Sequence, residues 1–322
     1  MMAFHKTGRW LAALCAALSL SAGALAQTYP SRPVKIVVAY PPGQSTDIAT
    51  RYLANKLSAA LGEGVVVENR PGAFGNIGTA FAARATPDGY TLIMGASGTH
   101  AMNPYLYDNI GFDPEKDFEP IIATAFIPMV ISVHPSLNIN TLAELVQYAK
   151  SRPDKVDVAV PSVTAQLVLE MIRRQNVPLF AIKYKGSGEA MTALLGNQVP
   201  VLIDTVAASR AQFGKIRPLA VTSARPMAAL PEIRSVAQQG MDGFQVVAWN
   251  ALMAPRGTPV EIRDRLEAEM RKILALPETA KALHDLGFEP APPMDRAQLL
   301  AWLQSERQTD ADIIRSAKMK AD

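Results

Sequence analysis

Side chains able to do chemistry are sparse in this 322-residue chain, and their spacing does not suit an enzyme. Its histidines, His5, His100, His134 and His284, lie too far apart for an HExxH helix or a close set of metal ligands. There is no GxSxG turn, and the single cysteine, Cys15, sits in an N-terminal apolar run. No catalytic residue, metal centre or cofactor is expected. What stands out instead is a set of polar turns that join apolar runs to helical patterns. PPGQSTD (41–47) stiffens its approach with Pro41 and Pro42, permits close backbone approach at Gly43, and offers Ser45, Thr46 or Asp47 as a helix cap. GASGTHAMNP (95–104) places Ser97, Thr99 and His100 after an apolar run. In PSVTAQ (161–166), Ser162 or Thr164 can cap a helix starting near Ala165. KYKGSGEAM (183–191) has glycines but lacks the GK[ST] ending of a P-loop and the third glycine of a dinucleotide fingerprint.

Helix-opening turns carry unpaired N–H groups and the positive end of the helix dipole, which suit a carboxylate or a phosphate. Taken one at a time, the turns at 41–47 and 95–104 read first as a helix cap and a connecting loop, because caps are far commoner than ligand sites, and only second as an anion-facing rim. Asp204, closing the run VPVLID, fits a ligand contact or a cap equally; Trp249 reads as core packing, and His134 and His284 as structural.

The elements that position these turns follow from periodicity. Short β-branched runs alternate with helical patterns, which marks an α/β chain built of βα units. Strands are expected at 34–40, 65–69, 91–96, 128–134, 156–160, 180–184, 199–204, 217–223 and 244–255, too many for one small sheet and enough for two. Ile48, Tyr52, Leu53, Leu57, Ala60 and Leu61 follow a 3.6-residue period with Gly62 as a stop. Thr141 to Glu144 forms a capping-box pattern, Thr258-Pro259 opens a charged amphipathic helix with the proline at its first position, and a helical tail runs from Met294 to about Met319.

Residues 1–26 read as an export signal: Lys6 and Arg9 precede an apolar stretch too short to span a bilayer, and Ala24-Leu25-Ala26 suits cleavage after Ala26. The expected location is the periplasm, with a soluble mature chain that lacks cysteine and relies on its core alone. Its basic and acidic side chains are nearly balanced, so charge makes no case for nucleic acid. With no linker-like segment, the expected crossings between two domains are 126–134 and 244–254, which gives a discontinuous domain 1 (27–131 plus 246–322) and an inserted domain 2 (132–245).

Read in order, YPSRPVKIVVAYPPGQSTD (29–47), VVVENRPGAFGNIGT (65–79), PDGYTL (87–92), GTHAMNPYLY (98–107), YKGSGEAMTALLGNQV (184–199), RPLAVTSARP (217–226) and WNALMAPRGTP (249–259) span the mature chain. Together they resemble the Bug or TctC family, the extracytoplasmic solute-binding receptors of tripartite tricarboxylate transporters. The resemblance implies a two-lobed, type II Venus-flytrap fold with a mainly parallel sheet in each lobe and a ligand cleft between them. It implies a monomer that captures a small organic acid or acidic amino acid and delivers it to the transporter's membrane subunits. Signalling to a membrane sensor kinase is the alternative from another class, and a periplasmic hydrolase a remote third. Carried over by position, the first-domain contacts fall on Pro42, Gly43, Gln44, Ser45, Thr46 and Asp47, with Ser97 and Thr99 opposite. Those of the second domain fall on Ser162, Val163 and Thr164, with Asp204 at the rim or beneath. Three departures stand out: Gln44 and Phe74 occupy positions where the family often has glycine, and VPSVTAQ lacks the usual Gly-x-Gly-Ser-x-x-His pattern, with Gln166 near the histidine position.

Overall fold

The computed structural model describes residues 29–152, 156–227 and 229–320. The expected export signal and its cleavage point lie outside the described residues. From the N-terminal side the chain forms β1 (Val34–Val38), α1 (Ser45–Leu61), β2 (Val65–Asn69), α2 (Asn76–Ala83) and β3 (Thr91–Ala96). A wide helical turn at Gly98–Met102 leads into α3 (Asn103–Leu106) and the long β4 (Phe118–Val133). Next come α4 (Leu142–Lys150), β5 (Val156–Val160), α5 (Val163–Arg173), β6 (Leu179–Lys183), α6 (Ser187–Leu195), β7 (Val201–Thr205), α7 (Val206–Ser209) and β8 (Arg217–Val221). β9 (Val247–Pro255) is followed by α8 (Val260–Ala275), α9 (Pro277–Asp285), β10 (Glu289–Pro290) and α10 (Arg296–Ala317).

The fold is α/β and two-lobed. In one lobe β2, β1 and β3 run parallel, and β9 joins β3 antiparallel. In the other, β6, β5 and β7 run parallel. β4 belongs to both: Phe118–Pro128 pairs antiparallel with β9, while Met129–Val133 pairs antiparallel with β7. β8 adds to the same far half of β4. Each sheet therefore keeps a parallel trio, and antiparallel crossing strands make the whole mixed rather than mainly parallel.

β2, β3 and β5 coincide with the expected runs, because each is a short β-branched or apolar stretch bounded by turn residues. β4 does not. It starts ten residues before the expected 128, since Pro120 discounts the stretch ahead of it as a strand. Register shifts between Pro120 and Ile122 and between Ala123 and Ala125 absorb the irregularity. Helix ends follow their caps. Gly62 closes α1 in the left-handed conformation (φ 74°), Ser162 Oγ accepts from the Ala165 N–H at the start of α5, and Asp295 with Gln298 forms a full capping box on α10. At α4 the Thr141 hydroxyl accepts from Glu144 N–H, but the Glu144 carboxylate reaches the Asn140 N–H, so the expected box is only half formed. Pro259 is the N-cap of α8 rather than its first helical residue.

Leu53 and Leu57 on α1 are fully buried against β1 and β3 and stabilise the first lobe by about 2 kcal/mol each. Val158, Leu167, Val168 and Ile203 anchor the core of the second. Among the described residues, no helix is long and apolar enough to cross a membrane.

Candidate functional site

β1 delivers the chain to the turn Tyr40–Gln44, where the Gln44 N–H donates to Pro41 O (3.3 Å) and Gly43 takes φ 82°. Gln44 is the extended N-cap of α1, so the N–H groups of Ser45 and Thr46 open the helix without intrahelical acceptors. Asp47 holds this turn from behind. Its Oδ2 accepts from Gly43 N–H (2.9 Å) and Arg51 Nε (3.0 Å), and its Oδ1 from Asn69 Nδ2 (2.8 Å). Asn69 also donates to Tyr40 O (3.0 Å), tying the start of the turn to β2. Burial pushes the Asp47 carboxyl upward, but the bonds from Arg51, Gly43 and Asn69 outweigh it and hold the group below the usual carboxylate range.

Facing this turn are the N-termini of α5 and α6 and the end of β7. The Ser162 hydroxyl is spent on the α5 cap (3.1 Å), which leaves the Val163 and Thr164 N–H groups at the helix opening. The Ser187 hydroxyl donates to Asp204 Oδ1 (3.1 Å), which also accepts from Thr205 N–H (2.7 Å). Asp204 Oδ2 is buried with no partner. Burial raises the Asp204 carboxyl to about 7, against the opposing bonds from Thr205 and Ser187.

Between the two sets of turns lies a cavity of about 40 Å³. At about 10–15 Å³ per water it has room for a few waters, so a small acid requires the lobes to part or side chains to shift. Eight expected residues line it together: Gln44, Ser45, Thr46, Ser97, Ser162, Val163, Thr164 and Asp204. Pro42, Gly43, Asp47 and Thr99 do not. Gly43 and Asp47 bond to each other behind the rim, and Thr99 Oγ1 bonds to Ala96 O (3.1 Å) and His100 Nδ1 (2.8 Å).

Tyr40, Ile127, Met129, Ser187, Thr205 and Trp249 also line the cavity, although none was singled out for it. Tyr40 and Ser187 stood within stretches already marked by their turns; Ile127, Met129 and Trp249 carry apolar crossing-strand patterns that read only as core. Among the described residues, no lysine, arginine or histidine lines the cavity, and its titratable groups are Tyr40 and Asp204. Burial lifts the Tyr40 phenol far above its ordinary value, so it stays neutral.

Gln44 and Phe74 lie between two neighbouring spaces. With Tyr40 they line both this cavity and a larger outer space of about 610 Å³ bordered by Lys183, Lys185 and Glu189. The Gln44 amide crosses to the second lobe: a Cβ built on Gly186 would stand 3.3 Å from its Nε2. Phe74 sits in the left-handed region (φ 49°). Away from the cavity, His100 is buried against Phe118 (4.9 Å between rings), and burial lowers its pKa to about 3, so it is neutral. His284 pairs with Glu289 (2.9 Å). Among the described residues, no group of three or more His, Cys, Asp or Glu could hold a metal ion.

Residues 49–319 match the profile of the tripartite tricarboxylate transporter family receptor, TctC. The chain belongs to this family. Protein BugT of Bordetella pertussis is 33% identical over 315 residues, covering 95% of this chain and 96% of that protein. Among solved structures, R. palustris Rpa4515 with adipate has TM-score 0.88 at 33% identity, covering 91% of this chain and 99% of its own. The periplasmic binding protein BugD has TM-score 0.85 at 34% identity, covering 91% and 100%. MatC from Rhodopseudomonas palustris with bound malate has TM-score 0.81 at 29% identity, covering 89% and 100%. This TctC receptor thus shares its fold with carboxylate-bound relatives, and its cavity is bounded by helix N-termini with no lining cation among the described residues.

Proposed function

We propose that this chain captures a small carboxylate between its two lobes and delivers it to the membrane subunits of a tripartite tricarboxylate transporter. The observation that carries the reading is the convergence of the α1 and α5 N-termini on one interlobe cavity with no lysine, arginine or histidine in its lining among the described residues. Fixed N–H dipoles can neutralise a carboxylate there without the desolvation cost of a buried cation, and ordered water can bridge the rest. Relatives of the same fold with adipate or malate support the ligand class.

In this reading Gln44, Ser45, Thr46 and Ser97 contact the anion from domain 1 (27–131 plus 246–322). Ser162, Val163, Thr164 and Asp204 contact it from domain 2 (132–245), while Pro42, Gly43, Asp47 and Thr99 shape the rim. Lobe closure follows the hinge motion of binding proteins, with β4 and β9 as the crossing strands. The mature protein is a periplasmic monomer cleaved after Ala26, and it binds rather than transforms its ligand.

Thermal denaturation of the purified mature chain with adipate, malate, glutamate and benzoate tests the proposal. A ligand at a hundredfold excess over its Kd should add about 2.7 kcal/mol of stability. No shift with any acid, beside a clear shift with neutral or cationic solutes, would sink the carboxylate reading.

A further inference from the structure

The unpartnered Asp204 oxygen sits oddly in a cavity meant for an anion. Asp204 lines the cavity and is 1% exposed; its Oδ1 is saturated by Thr205 N–H and the Ser187 hydroxyl, while Oδ2 is buried with no hydrogen-bond partner among the described residues. Among the described residues, no charged group faces it from the elements packed around β7, and α7, VAAS, carries none. β4 presents Met129 and Val130, β5 pairs through Val158 and Ala159, α6 offers Ser187, and α5 offers Val163 and Thr164. Across the cavity stand the neutral Tyr40 and Gln44. An ionised Asp204 would therefore meet an incoming carboxylate with like charge in a poorly solvated space.

We propose that Asp204 receives the ligand as a neutral acid, with its Oδ2–H donating to a ligand carboxylate oxygen, so that binding takes up one proton per anion. This rests on the carboxylate-receptor reading above. The bonding pattern suits the role: Oδ1 accepts twice and acts as the carbonyl side, which leaves Oδ2 to carry the proton. A carboxyl-to-carboxylate hydrogen bond is charge-assisted and short, and it needs no buried cation. Burial places the Asp204 titration near neutrality, so part of the population is already protonated before ligand arrives. The ligand lowers the proton's free energy further and draws the remainder in.

Isothermal titration of the tightest binder among adipate, malate, glutamate and benzoate, from pH 6 to 9, reads the effect. Carboxylic acids of this kind are ionised throughout that range. Kd should be flat to about pH 7 and then rise towards tenfold per pH unit. Titrations at pH 8 in buffers of low and high ionisation enthalpy should report an uptake approaching one proton per ligand. Asp204→Asn keeps a donor at the Oδ2 position and an acceptor at Oδ1. Whatever its affinity at pH 7, its Kd should rise several-fold less between pH 7 and pH 9 than that of wild type. Glu306 and Asp310 on α10 also carry raised carboxyls, behind Trp249, and the asparagine variant separates their contribution from that of Asp204. A flat wild-type profile with no proton uptake overturns the proposal while leaving the receptor reading intact. So does a Kd for Asp204→Asn that rises as steeply between pH 7 and pH 9 as that of wild type. Failure of all four acids to bind overturns the receptor reading and this inference with it.

Discussion

Replacing Asp47 by alanine removes one carboxylate that holds three donors. The Gly43 N–H and Asn69 Nδ2 bonds (2.9 and 2.8 Å) are partly buried, while the Arg51 partner is half exposed. Hydrogen bonds to a charged group are worth about 1.5 kcal/mol or somewhat more each. The Arg51 pair, screened by solvent, adds about 0.5 kcal/mol at most. The expected loss is about 3 kcal/mol, or a Tm lower by roughly 6–10 °C. Asp47→Asn should be nearly as damaging: all three partners donate, and an amide offers one acceptor where two are needed. The pH dependence has a definite sign. The folded pKa of Asp47 is depressed, so its stabilisation is present above the unfolded value near 4 and is lost as pH falls below it. The gap between wild type and Asp47→Ala should thus be full at pH 7 and shrink towards pH 3. Calorimetric melting of both variants at the two pH values is the assay. A wild-type Tm for Asp47→Asn at pH 7 would refute the argument that both oxygens are needed as acceptors.

Gly75→Ala is expected to cost more than 2 kcal/mol in chemical denaturation, since φ there is 97° and the new Cβ would lie 2.6 Å from the Thr99 methyl; an unchanged midpoint would speak against that contact. Gln44→Gly keeps a tolerated N-cap and should change stability by less than about 0.5 kcal/mol. By opening the passage to the outer space it should shift the ratio of Kd values for malate and adipate several-fold in favour of adipate, and a constant ratio would discount Gln44 as a gate. Burial, with Glu306 beside it, raises Asp310 to about 8, so the folded chain retains a proton that the unfolded chain releases near pH 4. That stability is present below pH 4 and lost as pH rises towards 8. Asp310→Asn should melt with wild type at pH 3.5 and above it at pH 8.5; equal melting at both would count against a buried proton.

The turns and their helices were legible because their signals are local. Gly62, Ser162 and Asp295 act within four residues of the helix ends they cap, and β2, β3 and β5 are short uninterrupted runs between breakers. Eight of the expected contact residues meet at one cavity for the same reason: βα turns at the carboxyl ends of parallel strands gather wherever two such sheets face each other. Which way each side chain points was not local. Asp47 is drawn behind its turn by Asn69, 22 positions on, and the Thr46 hydroxyl accepts from Asn250, 204 positions away. β4 is a strand across Pro120 and Pro128 only because β9 pairs along it and bulges absorb the misfit. Asp204 read equally as a cap or a contact, and only the packing of β7 against α6 satisfied one of its oxygens, with help from Thr205 N–H, and left the other without a partner among the described residues. The sequence by itself determined most of the elements, several of their caps and the family; the tertiary structure decided the extent of β4 and which polar atoms were spent on the scaffold and which were left unpaired, because that depends on partners far apart in the chain.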